Sequence, residues 1–279
     1  MIAKGVFAGL AGLLLAGVAQ AAPPAVAAPV SLWRLDCGKI VAFDLDEFSD
    51  TRAYVGQRKE LTASCYLIRH GDAYMLWDTG LPKAMLNHVP DPKQGLDATL
   101  TVTIVDQLAR LGVKPDQIGV VGISHEHFDH TGQAGDFPNA KLLIGKGDVD
   151  DMRGPNPDRG APLAHWLKDG GALEPVIGDK DVFGDGSVVM LDMPGHTPGH
   201  HALLVKLAHM GVVLFSGDTA HFTENYETNG VPAFNSNRAD TLASFDRFKK
   251  LAANLHATVI IQHEPADIAK LPAFPKAAD

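Results

Sequence analysis

The stretch Ile118-Gly119-Val120-Val121-Gly122-Ile123-Ser124-His125-Glu126-His127-Phe128-Asp129-His130 joins a short apolar run to the pattern His-x-His-x-Asp-His. Ile118 to Ser124 reads as a buried strand. The four ligand-type side chains after it cannot lie along a strand or one helix face and also meet a single small ion. On a loop leaving a strand end they divide into two groups. His125 and His127 converge on one metal, while Asp129 and His130 turn toward a second. A solvated polar loop is the bland alternative, but ligand types at this spacing seldom coincide by accident. Metal-dependent hydrolysis is therefore the leading reading.

Other strand ends offer further ligands. Pro194-Gly195-His196-Thr197-Pro198-Gly199-His200-His201 follows the strand-like Ser187 to Asp192. Its Gly and Pro residues let the backbone turn tightly and aim one imidazole. Three histidines compete there, and spacing does not choose among them. Ser216-Gly217-Asp218-Thr219 follows the apolar Val212 to Phe215, and a carboxylate in such a place can bridge two cations. His263 follows Val259 to Gln262. Each segment alone is weak, since a lone His after a strand is more often structural. Ligands gathered at one end of several strands form a site with a physical rationale.

The ends and composition bound the rest. Lys4, the apolar Val6 to Val18 and the Ala19-Gln20-Ala21 cleavage pattern predict a secretory signal peptide over 1–21. The apolar part falls short of the roughly 20 residues of a membrane span. Residues 22–30 are Ala/Pro-rich and read as a disordered leader, and 31–279 as one hydrolase domain. A soluble product, periplasmic or secreted and without a membrane anchor, is expected. The formal charge of -9, without a Lys/Arg cluster, argues against nucleic acid and anionic lipid as partners. A small-molecule substrate fits better. Cys37 and Cys65 are either a disulfide or two buried thiols on neighbouring strands.

Along the chain, Trp33 to Phe43, Cys65 to Ile68, Tyr74 to Trp77 and Lys141 to Ile144 are strand-like. Asp97 to Leu111 has helical spacing and ends at Gly112. In the second half Ser187 to Asp192, Ala202 to Lys206, Val212 to Phe215 and Thr258 to Ile261 read as strands. Asp240 to Leu255 reads as a helix with Asp240 as N-cap. Strands in clusters, with a helix closing each half, predict an α/β fold of two mixed sheets with helices outside, in four layers.

These segments together resemble the metallo-β-lactamase superfamily over nearly the whole mature chain. Leu76-Trp77-Asp78-Thr79-Gly80 looks like its first motif, with Asp78 as a residue supporting the metals. The resemblance implies an αβ/βα sandwich. It places His125, His127 and His200 on one divalent ion and Asp129, His130 and His263 on the other, with Asp218 and a hydroxide bridging them. His200 is chosen by register, leaving His196 as an adjacent structural residue. Such a pair supplies a nucleophile at neutral pH and a Lewis acid, with Asp129 as a proton shuttle. Zinc suits the donor set best, and cobalt, manganese or iron fit similar geometry.

Within the superfamily the chain is most similar to exported N-acyl-homoserine lactonases, the quorum-quenching enzymes. The similarity lies in Gly56 to Leu61, Trp77 to Pro82, Asp181 to Val189, Met193 to His200 and Gln262-His263. It implies lactone-ring opening and allows for a homodimer. Many such lactonases carry a substrate-contacting tyrosine three residues after the bridging aspartate. Here that position is His221, which could hydrogen-bond the lactone instead or be a rim residue. Trp33, Phe43, Phe48, Phe222, Phe234 and Met85 are candidate pocket walls. An organophosphate triester hydrolase of the same fold, or a promiscuous lactonase, is the rival reading. Asp218 argues against a true β-lactamase, where Cys or Ser is usual. The roughly 16 residues after His263 leave no room for a glyoxalase II extension. A non-catalytic binder would not need all seven ligands.

Overall fold

The computed structural model describes residues 1, 2, 5, 28–168 and 170–279. The signal peptide expected over 1–21, and most of the expected leader, lie outside the described residues. Val30, the last residue of the expected leader, is in a strand, and Pro29 accepts a hydrogen bond from the Gly71 N–H.

The first sheet contains β1 (Val30–Ala42), β2 (Lys59–His70), β3 (Ala73–Trp77), β4 (Leu96–Thr99), β5 (Ile118–Gly122), β6 (Lys141–Gly145) and β7 (Leu173–Val176). Their order is β4-β1-β2-β3-β5-β6-β7. Antiparallel pairing over β4-β1-β2-β3 gives way to parallel pairing from β3 to β7. The second sheet contains β8 (Lys180–Asp181), β9 (Val188–Asp192), β10 (His201–Leu207), β11 (Gly211–Phe215) and β12 (Thr258–Ile260), in the order β12-β11-β10-β9-β8. Only its β11–β12 pair is parallel.

Strand alternation sorts the apolar side chains into layers. On β2 and β3, Leu67 and Leu76 face an outer core with Ile104, Leu108 and Leu142. Their neighbours Ile68 and Trp77 face an inner core with Met190, Leu203, Val213 and Phe215 of the second sheet. A third apolar layer joins Leu191, Leu204 and Leu214 to Phe248 and Ala252. Ile104 and Leu108 come from α1 (Ile104–Arg110), and Phe248 and Ala252 from the long helix Arg238–Asn254. Three apolar seams between helix, sheet, sheet and helix make the expected four-layer sandwich. Among the described residues, no helix is long and apolar enough to cross a membrane.

Two local expectations change. Leu96–Thr99 is an edge strand on β1, not the start of a helix, and α1 begins only after the Thr103 cap. The β-branched Thr99, Thr101, Val102 and Thr103 resist helix and delay it to the Thr103 cap, leaving Leu96–Thr99 to the ladder with β1. The long helix is capped by Asn237, whose side chain accepts from the N–H groups of Ala239 and Asp240, rather than by Asp240 itself. Cys37 and Cys65 form a disulfide between β1 and β2, with Cα atoms 5.8 Å apart. It sits where the β1–β2 ladder shifts register, between Asp36 and Lys39.

Candidate metal centre

Four loop segments at the same end of the two sheets bring the chemistry together. The loop after β5 runs into the short helix α2 (Phe128–Thr131) and carries His125, His127, Asp129 and His130. The loop after β9 carries His196, the turn after β11 carries Asp218, and His263 follows β12. His125 Nε2, His127 Nδ1 and His196 Nε2 lie 3.0–3.1 Å from one another. Asp218 Oδ2 is 3.4 Å from His196 Nε2. A second cluster joins Asp129, His130 and His263. The other Asp218 oxygen, Oδ1, is 3.0 Å from His263 Nε2 and 3.4 Å from His130 Nε2. One carboxylate thus turns one oxygen to each cluster.

His200 departs from expectation. Its Nδ1 donates to the Met193 carbonyl at 2.9 Å, and its Nε2 accepts from the Asp218 N–H at 2.8 Å. Both nitrogens are used within the protein, so no lone pair is left for an ion. His196 takes the place expected of His200. Gly195, at φ +131°, turns the chain just before it, and no side chain would fit there, since a Cβ would lie 2.2 Å from the Thr241 nitrogen. The His196 Nδ1–H then donates to Asn235 Oδ1 at 2.9 Å, which fixes Nε2 as the free lone pair. Residue spacing carries no trace of that orientation.

The remaining ligand-type residues are oriented in the same way. His263 Nδ1 donates to the Thr62 carbonyl at 2.8 Å. His130 Nδ1 donates to Asp78 Oδ2 at 2.9 Å, leaving His130 Nε2 buried without a partner. Asp78, at φ +57°, also accepts from the Ser124 N–H and hydroxyl. This is the supporting role expected of its motif. Asp148 was not foreseen. It accepts from the N–H groups of Glu126 and Gly199 and the hydroxyl of Thr197, tying the two histidine loops together. The only sequence signal was the pair Gly145 and Gly147. At either position a Cβ would run into the Pro198-Gly199 backbone.

The electrostatics fit cations. Burial, helped by neighbouring histidines, holds His125 and His196 well below the usual imidazole range, and burial brings His127 down to about 4. These three rings are therefore neutral, with lone pairs pointing at one another, an arrangement that a shared cation resolves. Burial also opposes charge on His130, yet Asp129, Asp218 and Asp78 overcome it and raise its pKa well above the usual value. His263 is raised against the same burial, by Asp218. Buried carboxylates around the second cluster thus favour positive charge there. Donor types, converging lone pairs and the unpartnered His130 nitrogen all suit two divalent ions.

A cavity of about 310 Å³ opens on this centre. His127, Asp129, Asp218, His221 and His263 line its polar end, and Ile40, Phe48, Leu61, Leu96, Phe128 and Phe234 its apolar wall, with Glu47 among them. Of the six expected wall residues only Phe48 and Phe234 line it. Phe222 is fully buried in the outer core, and Trp33, Phe43 and Met85 lie elsewhere. His221 stacks on His263 (centroids 5.7 Å apart) and meets Phe48 edge-on at 5.1 Å. Its Nε2 lies 3.1 Å from Asp218 Oδ2, out of line for a hydrogen bond, and its Nδ1 has no hydrogen-bond partner.

The sandwich with a His/Asp two-metal-type centre at its strand ends defines a class of hydrolase. The Metallo-beta-lactamase superfamily pattern matches residues 58–263, and the chain belongs to that superfamily. The N-acyl homoserine lactonase AttM of Agrobacterium fabrum is 32% identical over 182 residues, covering 61% of this chain and 68% of AttM. An N-acyl homoserine lactonase of a Bacillus species is 28% identical over 225 residues, covering 75% of this chain and 84% of the relative. The structure of an N-acyl homoserine lactone hydrolase, with N-hexanoyl-L-homoserine bound at its catalytic metal centre, superposes with a TM-score of 0.76 at 23% identity. That match covers 90% of this chain and 100% of the other.

Proposed function

We propose that the protein hydrolyses the lactone ring of N-acyl-homoserine lactones. The observation that carries this reading is the form of the cavity: an apolar wall of Phe48, Leu61, Leu96, Phe128 and Phe234 ending on the carboxylate and imidazole cluster. An acyl chain suits the wall, and a polar ring with an attackable carbonyl suits the end. The two named lactonase relatives and the product-bound hydrolase support the same substrate class.

His125, His127, His196, Asp129, His130, His263 and Asp218 would hold two divalent ions, which would supply a nucleophile at neutral pH and a Lewis acid for the carbonyl. In the overall reaction water adds to the lactone carbonyl, the ring C–O bond breaks, and the ring oxygen leaves as the homoserine hydroxyl after taking up a proton. Asp129 reaches both the second cluster and the cavity, where its carboxylate can carry that proton. His221 lines the cavity with Nε2 3.1 Å from Asp218 Oδ2, placed beside the bridging carboxylate where its ring can donate to the lactone carbonyl or the leaving oxygen. We also propose that residues 1–21 direct export to a periplasm or the medium, an assignment supported by the disulfide, a bond favoured in oxidising compartments.

A panel of short- and long-chain homoserine lactones, an aryl phosphotriester, a cephalosporin and lactoylglutathione tests the assignment with metal-loaded protein. Ring-opened acyl-homoserine as the dominant product is expected. A tenfold preference for the triester, about 1.4 kcal/mol in barrier, would replace this reading with phosphotriester hydrolysis.

A further inference from the structure

We propose that the Cys37–Cys65 disulfide is a positioning clamp for one half of the metal centre. It holds the half built on Asp129, His130 and His263, and leaves the half built on His125, His127 and His196 to other supports. The proposal rests on the two-metal reading above.

The supports of His263 and His130 meet at this bond. His263 lies against β2, where its Nδ1–H donates to the Thr62 carbonyl and its own carbonyl accepts from the Thr62 N–H at 3.2 Å. Its neighbour Gln262 exchanges two hydrogen bonds with Ser64, which immediately precedes Cys65. His130 is held by the turn Asp78 to Leu81. Asp78 accepts from the ring Nδ1–H, and the N–H and hydroxyl of Thr79 both donate to the His130 carbonyl. That turn in turn rests on Cys37, whose carbonyl accepts from the Leu81 N–H at 3.2 Å. The backbone of Gly80, at φ +60°, is pressed so close that a Cβ there would lie 2.4 Å from Cys37 Cβ and 3.0 Å from its sulfur.

The ladder between β1 and β2 is irregular at this point. Its register runs from Asp36↔Ser64 to Lys39↔Thr62, and Cys37 and Gly38 fall in the interruption. At that point the sulfur bridge replaces the missing ladder bonds and fixes the distance between the platform under His263 and the turn under His130. Both cysteines are fully buried, so the bond acts as a fixed strut. The other half meets this turn only through Ser124, which donates to Asp78 and lies 3.1 Å from His125 Nδ1, and it has further anchors of its own. Asn235 fixes His196, bonded in turn to Thr241 of the long helix, and Asp148 ties the two histidine loops.

Zinc binding by the full chain, measured by competition with a chromophoric chelator and by metal analysis, tests the clamp. Wild-type protein binding fewer than two zinc ions would reject the two-metal reading itself. Given two ions in the wild type, C37A/C65A is expected to keep one affinity and lose at least tenfold in the other. Asn235→Ala is expected to weaken the opposite ion. Two unchanged affinities in C37A/C65A, or equal loss in both, would overturn the proposal. Should C37A/C65A fail to fold, Gly80→Ala keeps the disulfide but lifts the turn off Cys37. It is expected to weaken the same single ion, and unchanged binding there would equally overturn the clamp.

Discussion

The backbone N–H of Asp218 donates to Nε2 of His200 at 2.8 Å, so this imidazole holds the carboxylate that stands between the clusters. His196, four residues earlier, is the ring that faces His125 and His127. The two histidines should therefore fail differently. His196→Ala is expected to abolish tight binding of one zinc ion and lower kcat at least 100-fold. His200→Ala should keep both ions but leave the Asp218 N–H buried without an acceptor, at a stability cost of about 1–3 kcal/mol. Metal analysis and urea unfolding of the two variants separate these outcomes.

His221 is tested by kinetics rather than by metal content. His221→Ala should retain two zinc ions: it removes a ring 3.1 Å from Asp218 Oδ2, but His263 and His196 still face the two Asp218 oxygens. Loss of one hydrogen bond to a developing oxyanion predicts a fall in kcat of about 10- to 1,000-fold. Unchanged kinetics in a metal-replete variant would leave His221 as a wall residue only.

Asp148 makes a stability prediction away from the metal. Asp148→Ala removes the acceptor of three buried donors, from Glu126, Thr197 and Gly199. A loss of about 3 kcal/mol or more in urea unfolding of the metal-free protein is expected. The two histidine loops should also lose their mutual register, and His196 should bind zinc more weakly.

Acid stability should depend on Asp97. Its carboxylate accepts from the N–H groups of Asp91 and Ala98 and pairs with His88 at 2.9 Å. The Asp91 N–H first, and then His88, bring its pKa down to about 2. A lowered carboxylate pKa means the unfolded chain binds the proton more tightly. The stabilisation is therefore complete above the ordinary value near 4 and fades as the pH falls through about 2. In metal-free protein, Asp97→Asn should flatten the stability profile between about pH 4 and 2, as measured by urea midpoints across that range.

Metal removal should register in heat stability. Free zinc at 100 times its dissociation constant adds about 2.7 kcal/mol per site that is absent from the unfolded chain. For a domain of this size that is a rise of about 5–10 °C in Tm. A chelator should reverse it, and a Tm that ignores both zinc and chelator would exclude a preformed centre.

Much of this was readable from residues alone, and the failures have physical reasons. His125 to His130 stood out because its spacing makes sense only on a loop, and the apolar runs before Asp218 and His263 marked strand ends. The choice between His196 and His200 could not be read, because it depends on Asn235 and the Asp218 N–H, partners brought in from distant segments. The helical spacing of Leu100, Ile104, Leu108 and Leu111 carries no information about Asp97 to Thr99, where pairing with β1 decides for a strand. Asp148 looked like any surface acid at a helix start. Its burial arises only from the approach of the Thr197 to Gly199 turn.

Phe48 and Phe234 meet edge-on at 5.3 Å across the cavity wall, and neither belongs to a segment that supplies a ligand. The two differ in reach, because Phe234 meets His196 edge-on at 5.8 Å and precedes the Asn235 that orients it, whereas Phe48 meets only His221 at the polar end. A lineage built on this chain could change what it admits most freely by drift at Phe48, with the ligand-bearing strand ends held constant.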